Sequence, residues 1–433
     1  MGLCIFSILL FFAFGYSTVE CKIRLVTVLY RHGDRSPVNT YPTDPYQESA
    51  WPQGFGQLSQ EGMRQQFELG QFLRKRYTGF LSENYTRSEI VVRSTDHDRT
   101  LMSAASNLAG LYPPNGSQMF HPGLAWQPIP IHTVPQDEDT LLSFPIKSCS
   151  CYQVLMNETK RTKNYLNMTK TYKDFLKMVQ NKTGLNTTSI EMIWSIYDTL
   201  FCEMKHGLRP PAWVTQDVMK TLELLKNFSY QTLFGVHKRK EKSRLQGGVL
   251  LGQVIKNLYA ATCLNLNQQL KMIMYSAHDT TIVALQEALN VYNGLQPPYA
   301  SCHIFELHLD QNGSYSVAMF YRNDSTSTEP YSLTLPGCAQ LCPLEDFIKL
   351  TKSVIPTDWH RECIVRPYQV LNRFAGFKIR SQNKYKCTNT LRYKHNPFQD
   401  RAHDLRCLYL KSLCRPNGKI NPFWPSKTLP YWC

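Results

Sequence analysis

Two arginines bracket a histidine in Arg31-His32-Gly33-Asp34-Arg35-Ser36-Pro37. A neutral imidazole is a competent nucleophile toward phosphorus, and flanking cations lower the repulsion it meets from a phosphate dianion. Arginine suits that task because its planar fork of donors matches phosphate oxygens. Gly33 gives the backbone room beside His32, and Pro37 stiffens the loop exit. Two more segments supply complementary groups: Arg93 with Arg99, and His278 with Asp279. A carboxyl group such as Asp279, kept protonated by burial or by a bound dianion, can protonate a leaving alkoxide. Such a site would work best at acid pH. Taken singly, each group has a plainer reading: His32 as a structural histidine, Asp279 as a helix cap. The fixed spacing of Arg31, His32, Gly33, Arg35 and Pro37 is what lifts the set above that.

These groups need elements that bring them together. Ile23–Tyr30 is a β-branched, apolar run that reads as a buried strand of a parallel sheet, ending at the Arg-His loop. Ile90–Val92 and Lys271–Ala277 read as two further strands, each leading into a helix. Ser94, Thr95 or Asp96 is available to cap the helix that runs to about Leu111. Leu58–Phe80 has the apolar spacing of an amphipathic helix. Cys302–His308 and Tyr315–Tyr321 read as a hairpin. Ligands of open α/β sheets bind at the carboxyl ends of strands, where all three motifs fall. The expected fold is α/β: a doubly wound, mostly parallel sheet with helices on both faces over 21–150 and 235–363. Between 151 and 234 strand signals are scarce and Tyr172–Gln180, Ile190–Met204 and Thr215–Phe228 are helical, which predicts an all-α insertion. Trp194 is expected to pack within it, with the substrate entrance as the alternative.

The compartment is read from the N-terminus and from two surface chemistries. Residues 1–20 carry an apolar run long enough for a signal peptide and short for a membrane span. Nine Asn-X-Ser/Thr acceptors, at Asn84, Asn115, Asn157, Asn167, Asn181, Asn186, Asn227, Asn312 and Asn323, predict a glycosylated product of the secretory pathway. Fourteen cysteines are many for a cytosolic enzyme. No further stretch is apolar enough to span a membrane; Gly248–Leu266 comes nearest, interrupted by Gln253 and Lys256. The chain is expected in a secreted or lysosomal lumen.

The motifs together resemble the histidine acid phosphatase family, nearest to its prostatic, lysosomal and testicular group. The resemblance rests on Arg-His-Gly-X-Arg-X-Pro at Arg31–Pro37 and on Thr43–Pro45, Trp51–Leu58 and Arg93–Thr100. It extends through Glu241–Val249, Met274–Thr280 and Leu335–Cys338, spanning Ile23 to Cys363. It implies an acid phosphatase acting on phosphate monoesters, with His32 as the nucleophile that becomes phosphohistidine and Asp279 as the proton donor. Arg31, Arg35, Arg99 and His278 would hold the phosphate. It implies disulfides Cys149–Cys363, Cys202–Cys302 and Cys338–Cys342, leaving Cys151 and Cys263 unassigned, and a homodimer. No cofactor and no metal is implied, and no HExxH or dense Asp/His pattern is present. Phosphotyrosyl and lysophospholipid substrates stay open beside nucleotides and sugar phosphates.

The net charge of +15 would ordinarily suggest polyanion partners, but it is concentrated in one segment. Residues 364–433 hold 14 of the 48 basic and 2 of the 33 acidic residues, which leaves +12 in that tail and +3 in the body. The body therefore does not read as a nucleic-acid binder. The tail departs from the family, where a membrane span would stand in the lysosomal and testicular types. Its composition predicts an exposed segment, disordered on one reading. The alternative function is a secreted polyanion-binding glycoprotein acting through this tail.

Overall fold

The structure is a computed structural model that describes residues 22–144, 148–263, 270–368 and 384–386. The leader and most of the tail lie outside the described residues. The chain runs β1 (Lys22–Arg31), α1 (Gln60–Arg76), β2 (Ile90–Ser94) and α2 (Asp98–Leu111). Then come α3 (Ser150–Thr159), α4 (Lys163–Thr171), α5 (Lys173–Thr183), α6 (Ile190–Lys205), α7 (Gln216–Phe234), α8 (Arg239–Leu245) and α9 (Gly247–Cys263). It returns to the sheet with β3 (Met272–Ala277), α10 (Asp279–Leu289), β4 (Cys302–Leu309) and β5 (Tyr315–Arg322). It continues with β6 (Tyr331–Leu333), β7 (Leu341–Pro343), α11 (Leu344–Thr351) and α12 (Trp359–Cys363).

The sheet order is β2-β3-β1-β4-β5-β6, with β7 also on β5. The sheet is mixed. β1 and β2 run parallel to β3, while β4 and β5 add antiparallel strands. The parallel part is the part that matters for the site: three neighbouring strands end on the same side. β1 and β3 are buried almost throughout, as strands covered on both faces must be. One face packs against α1 and α2 through Leu69, Leu73, Leu108 and Leu111. The other packs against α9, α10 and α11 through Leu251, Leu258, Leu285 and Phe347.

α1 and α2 approach closely because Gly70 and Gly110 leave no room for a side chain. A Cβ on Gly70 would lie 2.0 Å from the Asn107 carbonyl oxygen. α9 is the segment the sequence marked as nearest to a span. Its residues pack under the sheet, and no described helix is long and apolar enough to cross a membrane. Every regular element from Ser150 to Phe234 is helical, and Tyr165, Val179, Ile193, Leu200 and Leu225 form a separate apolar core there.

Among the described residues Cys149 is joined to Cys363 and Cys338 to Cys342, and Cys263 is also disulfide-bonded. The expected Cys202–Cys302 bond is corrected: both thiols are free and buried. The two side chains serve different neighbourhoods. Cys202 on α6 turns toward the Tyr299 hydroxyl, 3.5 Å away, and the Arg35 guanidinium, 3.7 Å away. Cys302 opens β4 and packs with Val28, Tyr30 and Ile304 in the α1/α2 core. Burial pushes both thiols up to about 12. At the tail's start, Arg366–Tyr368 pairs antiparallel with Lys384–Lys386.

Candidate active site

Arg31 ends β1, and His32 follows it with its N–H donated to the Ala277 carbonyl at the end of β3. The loop is then tied down from three sides. Gln66 Nε2 donates to the Arg31 carbonyl, the Gly33 N–H reaches Ser103 Oγ, and the Asp34 N–H reaches Gln65 Oε1. Gly33 is required by packing: a Cβ there would sit 2.2 Å from the Gly62 carbonyl oxygen, in the first turn of α1. The backbone room that the sequence suggested beside His32 is thus taken up by α1.

His32 is 2% exposed, and its Nδ1 lies 2.8 Å from its neighbour's carbonyl, Gly33 O. A carbonyl only accepts, so Nδ1 carries the hydrogen and the Nε2 lone pair is left available. Burial, then Arg31, Arg35 and Arg99, hold the imidazole well below its ordinary pKa, so it is neutral. This is the state a nucleophile needs.

The cations differ in how they are balanced. Arg35 makes a bidentate pair with Asp198 of α6 at 2.9 and 3.0 Å. Burial opposes its charge, yet Asp198 holds it well above the usual guanidinium range. Arg31 pairs with Asp279 at 3.1 Å, donates to the Pro297 carbonyl at 2.7 Å, and lies 4.2 Å over the Tyr299 ring. Arg99, in the first turn of α2, has no ion pair among the described residues. Burial and the neighbouring Arg35 bring it down to about 10. One cation without an ion pair among the described residues, beside two paired ones, marks a position suited to an anion.

His278 caps α10 from the end of β3, and its backbone N–H is 3.4 Å from the Thr281 hydroxyl. Its Nε2 is 3.0 Å from Thr95 Oγ1, and its ring stands edge-on to both His32 and His97 at 5.7 and 5.0 Å. Burial and then Arg99 hold it well below the ordinary histidine range. The cap of α2 is His97, not Ser94, Thr95 or Asp96, and its side chain makes no capping bond.

Asp279 is the first residue inside α10, so it is not the cap. Its Oδ2 receives Arg31, Gln296 Nε2 at 2.8 Å and the Tyr230 hydroxyl at 3.1 Å, while Oδ1 receives the Thr280 N–H at 2.7 Å. Burial alone would raise its pKa, but Arg31, then the Gln296 amide and Arg35, lower it to about 2. With these partners Asp279 is ionised. The condition set by the sequence, a proton kept by burial or by a bound dianion, therefore falls to the dianion.

His32, Asp279, Arg31, Arg35, Arg99 and His278 meet here, whereas Arg93 is paired with Asp139 at 2.7 Å and is not among them. Sequence reasoning missed Asp198, Tyr230, Gln296 and Tyr299, which lie on helices and loops far along the chain and belong to no motif. Trp194 packs with Tyr230 and donates its indole N–H to the Tyr230 oxygen at 2.7 Å, behind Asp279. Seven of the nine Asn acceptors are exposed; Asn227 and Asn323 are half-buried, and Asn227 Oδ1 accepts the Gln296 N–H. Among the described residues no cluster of His, Cys, Asp and Glu could hold a metal.

The model of the histidine phosphatase superfamily (branch 2) matches residues 22–322. The lysosomal acid phosphatase of Xenopus laevis is 56% identical over 363 residues, 84% of each chain. That of Homo sapiens is 58% identical over 343 residues, covering 79% of this chain and 80% of the other. The prostatic acid phosphatase of Homo sapiens is 50% identical over 360 residues, covering 83% and 92%. Among solved structures, a Hafnia alvei phytase bound to tartrate superposes with a TM-score of 0.59 at 18% identity, over 78% of this chain and 98% of that one.

Proposed function

We propose, for a chain that belongs to the histidine phosphatase superfamily (branch 2), an acid phosphatase that hydrolyses phosphate monoesters through a phosphohistidine on His32. The enzyme class follows from relatives named as lysosomal and prostatic acid phosphatases at 50–58% identity. Relatives named as lysosomal support a lysosomal compartment, which suits the leader and the Asn acceptors.

The observation that carries the mechanism is the neutral His32, its Nδ1 held by a carbonyl, facing a cluster of three arginines with only two carboxylates. Arg31, Arg35 and Arg99 against Asp198 and ionised Asp279 leave one positive charge. A phosphate dianion brings that cluster to balance only when Asp279 takes up a proton. Binding therefore loads the acid. The dianion draws Arg31 away from Asp279 and adds like charge beside it, and both effects raise its proton affinity. His32 Nε2 attacks phosphorus, the ester P–O bond breaks, and the leaving oxygen takes the Asp279 proton. Asp279, again a carboxylate, accepts a proton from the water that attacks the phosphohistidine, releasing inorganic phosphate and restoring the imidazole. His278 positions the phosphate beside Arg99.

Release of p-nitrophenol from its phosphate near pH 5 tests the nucleophile. His32→Ala is expected to be inactive, and equal rates would remove His32 from this role. Asp279→Asn should slow alkyl phosphates far more than p-nitrophenyl phosphate, whose leaving group needs no proton. We also propose a homodimer. Met119, Phe120, Leu124 and Trp126 are exposed apolar side chains in one segment near the β2 edge, and a second copy would cover them. Sedimentation at micromolar protein tests it, and a monomer there sinks it. Tail-mediated polyanion binding gains no support from these relatives, which are named as acid phosphatases.

A further inference from the structure

Tyr230 is 1% exposed on α7, its ring packed with Phe144, Phe234 and Val283. Two donors meet its oxygen: Trp194 Nε1 at 2.7 Å and Gln296 Nε2 at 3.0 Å. A phenol oxygen has two lone pairs and one proton. Neither donor can accept that proton, so it points to Asp279 Oδ2, 3.1 Å away. Gln296 Nε2 donates to the same carboxylate oxygen at 2.8 Å. Ionised Asp279 only accepts, which fixes the amide with its nitrogen toward Asp279. Trp194, Tyr230 and Gln296 thus form a one-way chain of donors ending on the carboxylate.

We propose that Tyr230 is a positioning residue whose hydroxyl, oriented by Trp194 and Gln296, sets the pH at which Asp279 can hold its proton and so confines the reaction to acid conditions. The inference rests on Asp279 being the proton donor. A group that donates and cannot accept stabilises the carboxylate and not the acid, so it lowers proton affinity. Other charged and titratable groups also face Asp279. Arg31, Arg35 and Arg99 come from the β1 loop and α2, and His278 precedes it. Lys226 lies on α7, and Tyr292 and Tyr321 lie beyond. The arginines are the groups that a substrate dianion engages. The Tyr230 hydroxyl is not among them, so its bond to Asp279 persists in the enzyme–substrate complex. Its effect belongs in the pH dependence of kcat, which reports groups in that complex.

Tyr230→Phe keeps the ring and removes the hydroxyl. With an alkyl ester such as glycerol phosphate, the alkaline limb of kcat should move up by roughly one pH unit, the size expected for losing a hydrogen bond to a charged group. The variant then keeps a larger share of its pH 5 rate at pH 7 than the wild type does, which damage to the fold would not produce. With p-nitrophenyl phosphate the limb should move less. Trp194→Phe frees a lone pair on Tyr230, lets the hydroxyl accept from protonated Asp279, and should move the limb in the same direction. It serves as the readout if Tyr230→Phe does not fold. An unmoved limb, or one moved toward acid, overturns the proposal. Asp279→Asn is run beside them: an alkyl-phosphate limb that survives in it means that the proton-donor reading has failed, independently of Tyr230.

Discussion

Asp198→Asn isolates the role of the counter-ion that the sequence did not reveal. Arg35 and Asp198 are 3% and 5% exposed and joined by two bonds at 2.9 and 3.0 Å. Removing one partner of a buried pair costs about 3–5 kcal/mol, because the other charge is left uncompensated. Asparagine retains one acceptor oxygen, so about 3 kcal/mol is expected. The charge balance makes a second prediction that opposes the first. Without Asp198 the site gains one net positive charge, and inorganic phosphate becomes the counter-ion of Arg35. Its inhibition constant should fall about tenfold, equivalent to about 1.4 kcal/mol. Added phosphate should therefore recover part of the lost stability, and more than it adds to the wild type. Turnover should still fall, because Arg35 is no longer aimed and product leaves more slowly. The assays are urea unfolding with and without phosphate, and phosphate inhibition of p-nitrophenyl phosphate hydrolysis at pH 5. Wild-type unfolding together with unchanged phosphate inhibition would mean that Asp198 does not compensate Arg35.

Glu203 on α6 is fully buried against Asp44, and burial and that neighbour raise its pKa to about 9. A carboxyl raised in the fold contributes stability that is complete below its unfolded pKa of about 4.3 and is lost as pH rises toward 9. Glu203→Gln should flatten the wild-type decline between pH 5 and pH 9, and parallel urea midpoints would exclude the effect. Opening Cys149–Cys363, with a separation of 214 residues, should cost about 5 kcal/mol by loop entropy, against about 2 for Cys338–Cys342, with a separation of 4. Equal midpoints for Cys149→Ser and Cys338→Ser would contradict this. Gly33→Ala pushes a Cβ into the Gly62 carbonyl, backbone against backbone. It should cost about 3 kcal/mol and displace His32, so wild-type kcat/KM would show that the loop can yield.

The strands and the motif residues were legible because they are local. A buried strand announces itself by composition, and a loop that must follow it carries Arg31, His32 and Arg35 within five positions. The same holds for His278 and Asp279 after β3. Helix bounds in 150–234 came close for α5, α6 and α7, whose apolar periodicity is strong; α3 and α4 were passed over, and α4 buries only Tyr165.

Residue types and spacing along the chain identify the groups able to attack, bind and protonate, and put them at or just beyond strand ends. The state of each is set by contacts between distant segments. Asp279 is ionised at rest because Arg31, Tyr230 and Gln296, from three distant segments, converge on one oxygen. Arg35 is paired because α6 brings Asp198 to it across 163 residues, while Arg99 has no ion pair among the described residues. Cys202 and Cys302 are separate thiols because one turns toward Tyr299 and Arg35 and the other packs in the core. Proton affinity, charge balance and disulfide pairing depend on which groups meet in space, and folding alone brings those groups together.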